Sequence, residues 1–352
     1  MRAPHLNTGV CIVIDAMGGD YAPDINIDGA LLALNDDPEI KLQLVGDRSL
    51  LLKKLAERKT TESDRLQVIH ADEVITMDDT ASQGMRKKKG SSIHVGLQQV
   101  KEGKAHGFIS AGNSGAVMAV SIMVLGRLEG VERPAILIKL PSLENFVILL
   151  DAGANVDCKP SHLFQFAEMG RIYAELVENR KKPTIGLLSN GSEESKGNEL
   201  TRETHELLKT AKVPNYKGYI EGFDIYRGSV DIVVCDGFVG NVALKVSEGL
   251  AETAFNWFKS EIMKHKIVGF IGLAFLKGIL KAFKQKFDYK PYGSAPLLGI
   301  DGVVFISHGS SNALAIRNGI LTAKKGVQSE FLGKMSQQLS KKLAGAKKEE
   351  TK

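Results

Sequence analysis

The sequence predicts an α/β fold in which a mostly parallel sheet is covered by helices. Three observations carry this. Strand-length runs such as VCIVI and FVILL are apolar at nearly every residue, the pattern of strands buried on both faces. Segments with apolar spacing of three and four lie between these runs, and strands alternating with helices build parallel sheets. The loops that follow the strands are rich in Gly, Ser, Asn and Asp.

In chain order the first strand is VCIVI (10–14), followed by the DAMGGDYAP loop and a helix over 24–34. IKLQLV (40–45) and LQVI (66–69) are the next strands, and a helix over 91–103 leads to GFIS (107–110). The AGNSGA loop opens a helix over 114–128. AILIKL (135–140) and FVILL (146–150) come next, then DAGANVD and a helix over 162–179. TIGLL (184–188) runs through SNGSEESKGNE into a helix over 199–209. DIVVC (231–235) leads through DGFVGN into a helix over 241–264, and VVFIS (303–307) through HGSSN into one over 312–324. After Val327 a helix fades into a solvated tail. The expected organisation is one α/β domain over 1–330, with a lysine-rich tail over 331–352.

Composition excludes several classes. With 352 residues, 43% hydrophobic and 25% charged, the chain has the material for a large core and is neither disordered nor a coiled coil. No apolar run reaches the roughly 18–20 residues of a membrane span. The start, MRAPHLNTGVCIVID, lacks the basic-then-apolar pattern of a secretory signal. Cys11, Cys158 and Cys235 have no CxxC spacing, which points to a reducing cytoplasm. The net charge of +5 is uneven: Lys259 to Lys286 contains seven lysines and one Glu. One Trp and 6% aromatics give no base-stacking pattern, so no nucleic-acid partner is expected.

Six Gly/Ser/Asn/Asp loops at strand ends would share one edge of an open sheet, where ligands of such sheets bind. Glycine lets backbone N–H groups approach a ligand, and helix N-termini favour anions. The same residue types also make good turns and helix caps. No GxGxxG follows a strand, and GxxxxGK[ST], HExxH and GxSxG are absent. No His/Cys/Asp group has zinc spacing.

VIDAMGGDYAPDINIDGALLAL, RKKKGSSIHVGLQQVKEG, ISAGNSGAVMA, HLFQFAEMG, ESKGNELTRET, VVCDGFVGNVALKVSEG and YGSAPLLGIDGVVFISHGSSNALAIRNGI together resemble the phosphate acyltransferase family PlsX. The resemblance runs from about Val10 to Lys324. AGNSGA stands where AGNTGA is common, YGSAP where YGGAP is, and Asp301 where an Asn is frequent. The resemblance implies an isocitrate/isopropylmalate dehydrogenase-like fold, a homodimer, and attack of inorganic phosphate on long-chain acyl-acyl carrier protein. The acyl phosphate then enters phospholipid synthesis through a glycerol-phosphate acyltransferase, a further possible partner. No cofactor and no metal is implied.

Phosphate is already an oxyanion nucleophile and a thioester has a good leaving group. The protein needs to hold phosphate beside the carbonyl and stabilise the oxyanion. Lys196, just before a helix N-terminus, is a cation opposed to the helix dipole, a conflict that a bound anion relieves. Asn241 is either the cap of its helix or an amide that polarises the carbonyl. Asp236 would orient lysine or amide partners. His308 protonates the leaving thiolate, donates to phosphate, or is satisfied by its own loops. Gly18, Gly19, Asn113, Ser114, Gly115, Ser310, Ser311 and Asn312 would hold phosphate, with Asp20 orienting the first loop. Lys88 and Lys89 reach phosphate or the carrier, or face solvent as part of the RKKK run.

Residues 255–290 differ in kind. IVGFIGLAFL is too short to span a membrane, and the segment carries Phe270. Beyond it Lys277, Lys281 and Lys284 share one helical face, while Leu276, Leu280 and Phe283 share another. That is an interfacial amphipathic pattern suited to an anionic membrane surface. The alternative is a core or dimer-interface helix, and the resemblance implies a protruding helical pair that serves both dimer and membrane contact. Rival activities are a phosphate acyltransferase using short acyl-coenzyme A, a metal- and NAD-dependent dehydrogenase on the same fold, and a membrane-surface scaffold without catalysis.

Overall fold

A computed structural model describes residues 9–264, residue 278 and residues 294–349, with only the backbone over 341–349. Phe270, Leu276, Lys277, Leu280, Lys281, Phe283 and Lys284 lie outside the described residues.

Twelve strands among the described residues form two sheets. They are β1 (Cys11–Asp15), β2 (Lys41–Gly46), β3 (Leu66–His70), β4 (Gly107–Ser110), β5 (Ala135–Ile136), β6 (Ile138–Pro141), β7 (Phe146–Leu150), β8 (Ile185–Leu188), β9 (Tyr216–Ile220), β10 (Ile232–Val234), β11 (Ser294–Leu298) and β12 (Val303–Ser307). The first sheet has the order β3-β2-β1-β4-β12-β11-β5, the second β6-β7-β10-β8-β9. β3, β2, β1, β4 and β12 are parallel, as are β7, β10, β8 and β9; β11 pairs antiparallel with both β12 and β5, and β6 pairs antiparallel with β7.

The run AILIKL is not one strand. Ile136 pairs with Leu297 of the first sheet, and Ile138 with Leu149 of the second. Leu137, between them, donates its N–H to Pro296 O at 3.0 Å. A single apolar run therefore joins the two sheets. β9 and β11 were hidden in the sequence: β9 is an edge strand with exposed Lys217 and a glycine, and β11 contains Pro296.

Helices fill the connections, as the right-handed crossover of parallel strands demands. Short helices Arg48–Glu57, Ala81–Lys87 and Gly222–Arg227 add to those predicted. The helix Pro160–Leu176 is central, with nearly every residue from His162 to Ala174 buried. Its neighbour is the helix Phe331–Glu349, and here the expectation of a solvated tail from 331 is corrected. Phe331, Met335 and Leu339 are at most 2% exposed, and Phe331 meets Tyr173 edge-on with centroids 5.7 Å apart. Arg171 Nη2 donates to Gln338 Oε1 at 2.9 Å. A four-residue apolar period over Phe331, Met335 and Leu339, with Lys334 and polar residues between, draws the start of the helix into the core.

The helix Gly237–Lys264 is the exception to this packing. At 28 residues it is about 42 Å long. Only Gly237 and Gly240 are buried, and Val242, Val246, Leu250 and Trp257 are exposed.

Candidate active site

The strand-end loops do not share one edge as expected: because the strands divide between two sheets, the loops gather in two groups, one for each sheet. In the first group, Asp15 closes β1 and is 1% exposed. Its Oδ1 accepts from Met17 N at 3.1 Å, and its Oδ2 accepts from Ser110 Oγ at 2.6 Å. Ser110 Oγ accepts in turn from Gly112 N at 3.0 Å. Burial pushes the Asp15 carboxyl above its ordinary range, and the Ser110, Ser92 and backbone donors pull against that.

Glycine is required where these loops meet. A Cβ on Gly18 would lie 2.5 Å from Asp15 Oδ2 and 2.7 Å from Gly112 N. Asp20 N donates to Gly309 O at 2.9 Å, which brings in the loop after β12. Asn26 Nδ2 donates to Ala16 O and Gly18 O at 3.0 and 2.8 Å and holds the first loop from behind.

The polar side chains of these loops largely serve the helices. Asn113 Oδ1 accepts from Ala116 N at 3.1 Å and its amide donates to Asp79 O at 2.9 Å. Asn312 Oδ1 accepts from Ala315 N at 2.9 Å. Both cap their helices through Oδ1, and the Asn113 amide is also taken up by Asp79 O. The first-turn N–H groups at Ser114 and Gly115, and after Asn312, have no intrahelical acceptor. His308 is exposed, with Nδ1 2.9 Å from Ser310 Oγ and accepting from Ser310 N at 3.2 Å, which leaves the proton on Nε2. Ser311 is buried, with its N–H on His308 O at 2.9 Å.

The second group repeats the scheme. Asp151 closes β7 and is fully buried. Oδ1 accepts from Ile136 N, Gly153 N and Ala154 N at 3.0, 3.2 and 3.1 Å, and Oδ2 from Asn155 N and Nδ2 at 2.7 and 2.8 Å. Burial again pushes this carboxyl up while the donors oppose it. Gly237 N donates to Asn155 O at 2.7 Å, and a Cβ on Gly240 would lie 1.9 Å from Asp151 O.

One expectation is corrected here. Asn241 does not open its helix, which starts at Gly237. Asp236, not Asn241, is the capping residue: its Oδ1 accepts from Val239 N at 2.9 Å. Asn241 sits in the second turn, exposed, with its Cβ 3.5 Å from where a Cβ on Gly153 would stand. Its amide is not used as a cap.

Lys196 follows β8, exposed and without an ion-pair partner among the described residues. Its stem packs on Gly191, where a Cβ would lie 2.7 Å from Lys196 Cγ. Gly197 N donates to Asn190 Oδ1 at 2.9 Å, and Asn198 caps the helix Glu199–Thr210 through Thr201 N at 2.9 Å. Lys88 is removed from the candidates: its Nζ lies 2.5 Å from Asp79 Oδ2 and donates to Val74 O at 2.9 Å.

Sequence reasoning passed over Asp15, Ser110, Asp151 and Asn155, which shape the loops. One signal was present: an Asp-Ala pair twice closes a continuous apolar run, in VIDAMGG and LLDAGAN. Among the described residues no group of three or more His, Cys, Asp or Glu could hold a metal ion. Burial raises the Cys11 thiol to about 11 and Cys158 to about 12, and Cys235 well above the usual range, so none supplies a thiolate at neutral pH.

Comparison with known proteins matches residues 10–334 to the family described as fatty acid synthesis protein. The phosphate acyltransferase of Pelobacter propionicus (strain DSM 2379 / NBRC 103807 / OttBd1) is 49% identical over 330 residues, 93% of this chain and 94% of that protein. That of Geobacter sulfurreducens (strain ATCC 51573 / DSM 12127 / PCA) is 49% identical over 328 residues, 92% and 94%. Among solved structures, a phosphotransacetylase from Streptococcus pyogenes matches with a TM-score of 0.62 at 17% identity, covering 92% of this chain and 95% of its own. A putative 4-hydroxythreonine-4-phosphate dehydrogenase from Salmonella typhimurium matches at 0.51 and 12% identity, covering 90% and 100%. These likenesses show the dehydrogenase-like α/β fold.

Proposed function

The chain belongs to the fatty acid synthesis protein family and is a phosphate acyltransferase, and from that premise we propose that its donor is a long-chain fatty acyl group on acyl carrier protein, with the acyl phosphate product feeding phospholipid (phosphatidic acid) synthesis. A phosphate oxygen attacks the thioester carbonyl carbon, the C–S bond breaks, and the thiolate of the carrier takes up a proton. The observation that carries this reading is the meeting of three glycine loops at Gly18, Gly112 and Gly309, beside helix N-termini whose first-turn amides are open. Gly18, Gly19, Ser114, Gly115, Ser310, Ser311 and the amides behind the Asn113 and Asn312 caps hold phosphate, with Asp20 fixing the first loop to Gly309. Lys196 neutralises phosphate charge as it attacks. The Asn241 amide polarises the carbonyl, Asp236 holds Asn241's helix in place, and the Nε2 proton of His308 goes to the thiolate.

A long apolar donor calls for apolar surface near the site. The exposed row Val242, Val246, Leu250 and Trp257 supports a homodimer through the projecting helix. The Lys277, Lys281, Lys284 face against the Leu276, Leu280, Phe283 face, together with Phe270, supports peripheral contact with the anionic inner face of the cell membrane, where a glycerol-phosphate acyltransferase would take the product. Among the described residues no helix is long and apolar enough to cross a membrane.

The test is direct. Purified protein, palmitoyl-carrier protein and inorganic phosphate should yield acyl phosphate, trapped with hydroxylamine as the hydroxamate, while acetyl-coenzyme A reacts poorly. The reverse preference would assign the site to short coenzyme A thioesters. Leu280→Glu should leave anionic vesicles on sedimentation; unchanged co-sedimentation would reject the membrane contact.

A further inference from the structure

The segment from Arg86 to Lys89 closes the helix Ala81–Lys87 and the turn after it with four cations in a row, whereas several other cations around the first sheet are paired. Among the described residues, Arg48 pairs with Glu62, Lys54 and Arg58 with Asp24, Arg317 with Asp36 and Lys324 with Asp37. In the turn itself Lys88 alone is neutralised, by Asp79. Arg86, Lys87 and Lys89 are exposed and have no ion-pair partner among the described residues.

This uncompensated charge is tied to the phosphate loop. Asn113, which caps the helix Ser114–Val124, donates its amide to Asp79 O at 2.9 Å and Met77 O at 3.4 Å. Ala81 Cβ lies 3.5 Å from where a Cβ on Gly115 would stand. On the far side, Gly90 N donates to Glu73 Oε2 at 2.8 Å. The cations are therefore presented on a turn fixed at both ends, one helix away from the open amides of Ser114 and Gly115. Beside Lys89 a cavity of about 370 Å³ opens between two helices, with Val95, Met123 and Val124 as apolar floor and Gln98 at its rim. Met123 is 43% exposed there.

We propose that Arg86, Lys87, Lys89 and this apolar cavity form the docking surface for the acidic protein that delivers the acyl group. The inference rests on the proposed carrier-protein donor. Unpaired cations on a fixed turn steer an acidic partner and set its orientation, and the cavity takes an apolar side chain of the partner. A donor docked there is held next to the phosphate loop.

The test uses the full chain with Arg86→Glu, Lys87→Glu and Lys89→Glu combined. With palmitoyl-carrier protein, the KM for the carrier should rise about tenfold or more and its salt dependence should flatten. The KM for phosphate, and turnover with a carrier-free thioester (palmitoyl-coenzyme A at high concentration), should stay within about twofold. An unchanged carrier KM overturns the docking surface alone. An equal loss with both donors marks a folding lesion; the single variant Lys87→Glu, on an exposed side chain, must then raise the carrier KM by itself, and its failure to do so overturns the docking surface. A change in oligomeric state by light scattering would reassign the face to a second copy of the chain. If the unaltered protein fails to turn over acyl-carrier protein with phosphate, the donor reading itself falls, and the docking proposal with it.

Discussion

Ser110 donates its hydroxyl to the buried Asp15 carboxylate at 2.6 Å, and so ties the end of β4 to the end of β1 directly under the Gly18 and Gly112 loops. Removing it in Ser110→Ala leaves a buried carboxylate oxygen without that donor, at a cost of about 1–3 kcal/mol. Urea unfolding should show that loss, and the KM for phosphate should rise with it. The pH dependence follows from the direction of the Asp15 shift. Its folded pKa lies above the ordinary 3.8, so its contribution is fully present below that value and is lost as pH rises through the folded one. Asp15→Asn does not titrate, and its deficit against the unaltered protein should be largest at low pH and shrink toward neutrality.

Lys196→Ala should fold normally, because the side chain is exposed and has no ion pair among the described residues. The KM for phosphate should rise about tenfold or more, equivalent to about 1.4 kcal/mol of lost anion binding. Steady-state kinetics at varied phosphate, with thermal unfolding as control, checks this. Full activity would remove Lys196 from the site.

Gly240→Ala should be among the most damaging single-methyl changes. The added Cβ meets Asp151 O at 1.9 Å, a backbone atom at the end of a buried strand. Either the helix start or the Asp151 loop must move, at about 3 kcal/mol or more, carrying Asn241 away from Gly153. Calorimetry and turnover should fall together, whereas Gly115→Ala, with its nearest neighbours 3.4 Å or more away, should leave the fold intact.

No cysteine should matter for turnover. With thiols raised to about 11 at Cys11 and about 12 at Cys158, iodoacetamide near pH 7.5 should react far more slowly with the folded chain than with the unfolded one. Mass spectrometry reads the labelling. Rapid alkylation with matching loss of activity would point to a covalent acyl-thiol step instead of direct attack by phosphate.

Met335→Ala should cost about 2–5 kcal/mol, the price of a cavity at a fully buried site. Chemical denaturation measures it. A change of only a few tenths would mean that the C-terminal helix is dispensable.

Much of the scaffold was legible. The continuous apolar runs of β1, β4, β7 and β12 are strands because two-sided burial imposes no alternation, and the glycine loops after them lie where the parallel topology must put them. Details set by distant partners were not legible. Asn241 looked like a helix opener, but Asp236 takes the cap and Gly237 N reaches Asn155 O, which starts the helix earlier. Asn113 and Asn312 also cap their helices, and the Asn113 amide reaches Asp79 O, a partner far away in the chain. Lys88 looked free, but Asp79 folds back onto it.

By itself the order of residues decided the alternation of strands and helices, the polarity of the strand-end loops and the lack of nucleophile motifs, since each depends on chemical type and short-range periodicity. Only the folded chain decided that AILIKL would be shared between two sheets, that Asp15 and Asp151 would each organise a loop, and that Phe331, Met335 and Leu339 would be core. Those outcomes depend on groups far apart in the chain meeting in a low-dielectric interior. There an unpaired carboxylate or a misplaced methyl costs several kcal/mol, and no local pattern records which partner will be found.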